Sequence, residues 1–279
     1  MIIKRLRSIF LGFILIALST LAANAAIVDT IITYSTTMKK HIKAIVITPD
    51  SYAGAKELPV VYLLHGYSGD YSDWIKKASG FEMSVDLYNI IIVCPDGGFS
   101  SWYWDSPIDE KFKYETYISK ELIAWIDSKY KTIKNKTGRA ITGLSMGGHG
   151  SLYLAFKHQE VYGAAGSMSG GVDIRSFPNN WDMALRLGTY AENQESWEKN
   201  TVANMLYLVT PKSLALIIDC GIDDFFYAVN QNLHEQLLFR NIPHDFITRP
   251  GAHNWSYWNN AIQHQLLFMN NYFRSHIKK

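Results

Sequence analysis

Gly143-Leu144-Ser145-Met146-Gly147 sets a serine between glycines two positions away on either side. The apolar run 139–144 before it reads as a strand, and the small-residue stretch 146–158 after it reads as a helix. The combination fits G-x-S-x-G, in which a nucleophile stands on a sharp strand-to-helix turn. Such a turn strains the backbone at the serine, and side chains two residues to either side would collide with it. The hydroxyl is thereby presented at the strand's C-terminal edge. The N–H groups that open the following helix face the same point, where negative charge would develop during attack on a carbonyl.

A serine hydroxyl is a weak nucleophile until a base removes its proton, and that base must be held in one tautomer by a carboxylate. Of the nine histidines, His253 in Pro250-Gly251-Ala252-His253-Asn254-Trp255 stands between the last strand-like run and the closing helix. In the chain order serine, acid, histidine, the acid follows the strand that ends at Cys220. Asp219, Asp223 and Asp224 all stand there; Asp219 is still inside the strand, and spacing does not separate the other two. His65 and His149 sit close to the same loops on elements unsuited to the base, and are expected to pack or hydrogen-bond. Two N–H groups should converge on the developing oxyanion, those of Met146, after the nucleophile, and Tyr67, after the strand that ends in His65-Gly66.

The elements that must position these residues alternate along the chain. Residues 27–36 and 41–48 read as an N-terminal hairpin; 59–64, 89–94, 163–168, 213–220 and 244–249 read as further strands. Helices are expected near 81–88 and over 114–130, 146–158, 195–206, 224–240 and 255–276. The irregular, polar residues 169–208 read as a lid or insertion, because the strand pattern resumes after them. Strand–helix alternation over about 200 residues implies one α/β domain with a mainly parallel sheet covered on both faces. Functional loops then gather at the strands' C-terminal ends.

Lys4, Arg5 and Arg7 precede an apolar run over 9–21 and Ala23-Asn24-Ala25, the pattern of a cleaved export signal at 1–25. The mature domain is therefore expected over 26–279. Without the leader three basic residues go and no acidic ones, so the formal charge falls from +2 to −1. No clustered basic face suggests nucleic acid, and no membrane association is expected after cleavage. Cys94 and Cys220 end different strands, with others expected between them, so both are read as buried free thiols. No histidine or cysteine spacing suggests a metal, and no cofactor is implied.

Beyond these chemical readings, the chain resembles the esterase D family of α/β-hydrolases over about 59–273. The resemblance rests on Leu63-Leu64-His65-Gly66-Tyr67-Ser68-Gly69, Gly143-Leu144-Ser145-Met146-Gly147-Gly148-His149-Gly150, Cys220-Gly221-Ile222-Asp223-Asp224-Phe225 and Gly251-Ala252-His253-Asn254-Trp255. It implies an α/β-hydrolase fold and the second acidic position of the Asp223-Asp224 pair as the triad acid. Ala252, where the family often has glycine, is one departure, bearing on loop flexibility. Ser101-Trp102-Tyr103 resembles a cleft-lining segment of the feruloyl-esterase and mycolyltransferase branches; packing beneath the long helix is the other reading of it.

The function these readings imply is a secreted serine carboxylesterase with Ser145, His253 and Asp224 as its triad. Aromatic content is high, at 14%. Trp102, Tyr103, Trp104, Trp181, Trp255 and Trp258 are candidates for stacking on a sugar ring or a hydroxycinnamoyl group. The expected partner is a small-molecule or polysaccharide-linked ester, feruloyl or acetyl. Acyl transfer to a sugar hydroxyl uses the same acyl-enzyme. An S-formylglutathione hydrolase fits an exported chain poorly, since glutathione chemistry is cytosolic. A silent carbohydrate-binding protein on the same scaffold is the non-enzymatic alternative.

Overall fold

The computed structural model describes residues 26–277, so the expected export signal at 1–25 lies outside the described residues. Among those residues eight strands form one sheet in the order β1-β2-β4-β3-β5-β6-β7-β8. β1 (Ile27–Ser35) and β2 (Lys40–Thr48) make the antiparallel hairpin, and β2 continues antiparallel against β4 (Ile91–Pro95). From β4 onward every neighbour is parallel: β3 (Val60–Leu64), β5 (Arg139–Gly143), β6 (Ala164–Met168), β7 (Ala215–Gly221) and β8 (Asp245–Arg249). This is the mostly parallel α/β-hydrolase sheet with its antiparallel start.

Strand residues alternate between two cores, as a period of two requires. Val60, Tyr62, Leu64, Ile91 and Val93 point to one face and Val61, Leu63, Ile90 and Ile92 to the other, nearly all of them fully buried. Burial on both faces explains why these strands are unbroken apolar runs. The second face is covered by α1 (Asp73–Lys77), α2 (Met83–Tyr88) and, at the end of the chain, α9 (Trp255–His276). α9 presents Trp258, Ile262, Leu266, Met269 and Phe273 at helical spacing. Cutting Ile262 or Leu266 back to alanine there removes about 2–5 kcal/mol.

On the first face one helical stretch runs from α3 (Tyr114–Thr116) through a π-helical segment (Tyr117–Leu122) into α4 (Ile123–Lys129). The expected helix is present, but widened in the middle, where Ser119 Oγ donates back to the Glu115 carbonyl at 2.5 Å. α5 (Met146–Lys157) lies at the centre of this layer, buried from Met146 to Phe156. α6 (Ala184–Leu187) and α7 (Gln194–Lys199) belong to residues 169–208. The helix expected over 195–206 stops at Lys199 and resumes as a tighter 3-10 turn, Val202–Leu208. Val172, Met183, Leu187, Trp197 and Val202 of this segment are buried in the first core. α8 (Tyr227–Phe239) starts three residues later than the helix expected from Asp224. The residues before it form a turn in which the Asp224 carboxylate accepts the Phe226 N–H at 2.8 Å.

Cys94 and Cys220 are both buried free thiols. They stand on β4 and β7 with β3, β5 and β6 between them.

Candidate active site

The turn between β5 and α5 is strained in the way its glycines require. Ser145 has φ 55° and ψ −118°, a conformation costing a side-chain-bearing residue about 1–3 kcal/mol. A Cβ on Gly143 would stand 2.6 Å from the Gly147 backbone, and one on Gly147 would stand 2.6 Å from the Leu64 and His65 carbonyl oxygens. The turn is therefore clamped between its own helix and the end of β3. The Ser145 N–H donates to the Met168 carbonyl at 2.9 Å, fixing the turn to β6 as well.

His253 reaches this serine from a loop 108 residues further on, with Nε2 2.8 Å from Ser145 Oγ. Its Nδ1 lies 2.8 and 3.0 Å from the two Asp224 carboxylate oxygens. The carboxylate only accepts, so Nδ1–H donates to it and Nε2 is left to accept the serine proton. The Asp224 carboxylate is fully shielded from solvent, and the imidazole is 15% exposed. Phe225 and Trp258 flank the ring, at centroid distances of 4.3 and 4.8 Å.

The two loops that carry Asp224 and His253 are laced together. The Asp223 N–H donates to the Gly251 carbonyl at 3.0 Å, and the Gly251 N–H donates to the Asp223 carboxylate at 3.2 Å. Gly251 holds φ 145°, and a Cβ there would stand 2.4 Å from the Tyr257 ring. Asp223 thus ties loop to loop while Asp224 faces the imidazole. Asp219, the third candidate, turns away to Arg249, whose guanidinium donates to both its oxygens at 2.8 and 3.0 Å. Tyr257 also donates to it, yet burial still raises the Asp219 carboxyl above its ordinary range.

The loop after β3 lies against the serine: a Cβ on Gly66 would stand 3.3 Å from Ser145 Cβ. Neither the Tyr67 nor the Met146 N–H donates to an acceptor among the described residues. His65 and His149 play other parts. His65 accepts the Gly97 N–H at Nε2 and donates from Nδ1 to the Gly66 carbonyl, both at 2.7 Å, which braces the loop. His149 accepts Trp104 Nε1–H and donates to the Gly171 carbonyl, each at 2.9 Å, and burial pushes its pKa down to about 4.

The family model described as "Putative esterase" matches residues 35–269. The chain belongs to this esterase family. An acetyl esterase of Caldicellulosiruptor saccharolyticus is 25% identical to it over 85% of this chain and 95% of the relative. A diacylglycerol acyltransferase/mycolyltransferase of Mycobacterium leprae is 27% identical over 74% of this chain and 73% of that one. Among solved structures, a ferulic acid esterase superposes with a TM-score of 0.77 at 28% identity, covering 89% of this chain and 99% of the other. An S-formylglutathione hydrolase of Staphylococcus aureus gives the same TM-score at 22% identity and shares the fold. The esterase is accordingly a serine hydrolase.

Its cavity at Ser145 has a volume of about 380 Å³ and is lined by Tyr67, Trp181, Phe225, His253, Trp255 and Trp258, among others. Cavities of about 450 and 680 Å³ lie elsewhere and do not include the serine. Three of the six aromatics expected to stack on substrate, Trp181, Trp255 and Trp258, line the cavity. Trp102 and Tyr103 do not: they are 1% and 0% exposed. Both hold left-handed backbone, φ 54° and 63°, which turns the segment inward. Tyr103 then donates its hydroxyl to the His65 carbonyl at 3.0 Å, and Trp102 donates to the Trp181 carbonyl at 3.2 Å. Trp104 is buried with them, stacked on Trp102. This segment supports the esterase site from beneath.

Three cavity residues were not singled out by sequence. Phe225 stacks on Trp181 with an interplanar angle of 19° and caps His253. Asp73 and Lys77 line the opposite side. The signal for Phe225 was its place beside Asp224; for Asp73 and Lys77 it was their i,i+4 spacing, which the short helix α1 realises.

Proposed function

We propose that the enzyme is an exported serine carboxylesterase that cleaves short-chain acyl or hydroxycinnamoyl esters, acetyl and feruloyl esters of plant polysaccharide among them. The observation that carries this reading is the unbroken hydrogen-bond relay from Ser145 Oγ through His253 to Asp224. Ser145 Oγ attacks the ester carbonyl carbon while His253 Nε2 takes the hydroxyl proton. The carbonyl oxygen becomes an oxyanion held by the Tyr67 and Met146 N–H groups. As the carbon–alkoxide bond breaks, His253 returns that proton to the leaving alcohol, and an acyl-enzyme remains. Water then attacks with the same proton transfers in reverse order, releasing the acid and Ser145. Asp224 holds the imidazole in the Nδ1–H tautomer and stabilises it when protonated.

The basic, apolar and small-residue succession over 1–25 supports export, and among the described residues no helix is long and apolar enough to cross a membrane. The acetyl esterase and ferulic acid esterase among its relatives support the acyl groups. Residues 169–208 act as an insertion that contributes Trp181 to the cavity's lining. Ser145→Ala is expected to abolish turnover of 4-nitrophenyl acetate in a protein with unchanged circular dichroism. Retained turnover would remove Ser145 from the mechanism. A panel of acetyl, butyryl and feruloyl esters with acetylated xylan then ranks the substrates.

The similarity to mycolyltransferases favours one second reading, in which a sugar hydroxyl replaces water in the last step. Product analysis with water and a sugar acceptor both present separates the two: free acid as the main product supports hydrolysis, and acylated sugar supports transfer.

A further inference from the structure

The loop that carries His253 is tied at both ends to a carboxylate other than that of Asp224. It leaves β8 after Arg249 and enters α9 at Trp255, so Arg249 stands just before it and Tyr257 in the first turn after it. Both side chains turn back to Asp219, which lies inside the neighbouring strand β7 and is fully buried. Arg249 Nη2 donates to the two Asp219 oxygens at 2.8 and 3.0 Å, and the Tyr257 hydroxyl donates to Oδ1 at 2.5 Å. The guanidinium carbon lies 5.1 Å from the centre of the Tyr257 ring. The same ring packs on Gly251 inside the loop, where a Cβ would stand 2.4 Å from it. The Asp219 carbonyl accepts the Ser169 N–H at 2.7 Å, so the anchor is itself fixed to the end of β6. Just past β7 stands Asp224, which binds the imidazole. One strand and its following turn therefore grip the histidine loop twice, by its two ends at Asp219 and by its ring at Asp224.

We propose that Asp219, Arg249 and Tyr257 are positioning residues for the esterase reaction: Asp219 fastens both ends of the loop and so fixes where His253 Nε2 stands relative to Ser145 Oγ. This rests on the reading of Ser145 and His253 as the ester-cleaving pair. None of residues 250–256 is buried, so the loop has no core of its own to set its path. Its other ties, between Asp223 and Gly251, are two hydrogen bonds of 3.0 and 3.2 Å near its start. An ion pair taken out of water gains little net stability once its desolvation is counted. What this pair adds is a fixed distance between two loop ends. A reacting group displaced by about 1 Å costs about a hundredfold in rate, and losing one of two anchors permits part of that displacement. A single nitrogen, Arg249 Nη2, bridges both Asp219 oxygens, so a lysine ammonium, a point donor of the same charge, can take its place. A methionine of similar length cannot.

The test measures kcat and KM on 4-nitrophenyl acetate for Tyr257→Phe, Arg249→Met, Arg249→Lys and Asp219→Asn, with melting temperatures throughout. Tyr257→Phe keeps the ring against Gly251 and loses only the hydroxyl, which secures a folded variant. Tyr257→Phe and Arg249→Met are each expected to lower kcat about tenfold with KM within about twofold, and Arg249→Lys to stay within about threefold of the wild type. Adding Arg249→Met to Asp219→Asn should cost less than about twofold more, because the anchor is already gone. A kcat within about twofold of the wild type in both Tyr257→Phe and Arg249→Met overturns the positioning role, whatever the melting temperatures do. So does an Arg249→Lys enzyme as slow as Arg249→Met. A KM that rises while kcat holds marks a substrate contact and overturns it too, and a further tenfold loss on the Asp219→Asn background shows that the arginine acts elsewhere. A wild type without turnover, or Ser145→Ala with it, sinks the ester-cleaving reading and the positioning role together; a wild type that depends on Ser145 while these variants keep its kcat sinks the positioning role alone.

Discussion

Replacing Asp224 by asparagine should cripple the enzyme without changing its shape, and the hydrogen bonds say why. Asp224 Oδ1 accepts the Phe226 N–H at 2.8 Å, while Oδ2 makes the shorter contact, 2.8 Å, to His253 Nδ1. In Asp224→Asn the amide carbonyl must keep the Phe226 N–H, because an NH2 group there would face another donor. The NH2 group therefore falls at the Oδ2 position and donates to Nδ1. The imidazole is driven to carry its proton on Nε2, which then meets Ser145 Oγ as a donor and is unable to take the serine proton. A tautomer reversed in this way costs roughly a thousand- to ten-thousandfold in kcat, or about 4–5.5 kcal/mol of barrier. Asp223→Asn is the control. Among the described residues Asp223 accepts only the Gly251 N–H, at 3.2 Å, which an asparagine oxygen also accepts. It should lose less than about tenfold. The assay is kcat and KM on 4-nitrophenyl acetate at pH 7 for both variants, with melting temperatures. An Asp224→Asn enzyme keeping a tenth of its kcat, or an Asp223→Asn enzyme as weak as the other, would refute the assignment.

Two stability predictions rest on the same framework. Gly147→Ala places a methyl group 2.6 Å from two carbonyl oxygens of the β3 end, so it should lower stability by about 2–4 kcal/mol in urea unfolding; an unchanged midpoint would mean the turn is not clamped. His149 is held neutral by burial, with its pKa lowered to about 4, whereas in the unfolded chain it takes a proton near its ordinary value of 6.5. The unfolded state therefore binds more protons between those values. Stability is full above pH 6.5 and falls as pH drops toward 4, by up to about 3 kcal/mol from this residue. Urea midpoints measured across that window should show the loss, and a smaller slope in His149→Phe. An equal slope in the variant would assign the acid sensitivity elsewhere.

The legible parts of the chain were those where local sequence and global fold impose the same demand. Val60-Val61-Tyr62-Leu63-Leu64 is apolar at every position because the sheet is covered on both faces, so run length alone located the strand. The Ser145 turn announced itself because its glycines answer to atoms within 3 Å. His253 was legible from chain order. The choice between Asp223 and Asp224 was not legible from spacing, since adjacent residues on one turn differ only in which way each side chain leaves it. Trp102 and Tyr103 show the opposite failure. An aromatic run after a strand looks like a cleft wall, but two successive left-handed residues turn it inward, and neither is a glycine that would signal that reversal. Lys77 meets Trp255 across the length of the chain because α9 packs beside α1 and α2, a contact that no local pattern announces.

The most direct test of the account is covalent. A fluorophosphonate probe is expected to react once per molecule, and mass spectrometry of the digested protein should find the phosphonyl group on Ser145. Labelling should vanish in Ser145→Ala and slow by orders of magnitude in His253→Ala. Label on another residue, or full labelling without the imidazole, would contradict an activated serine at this turn.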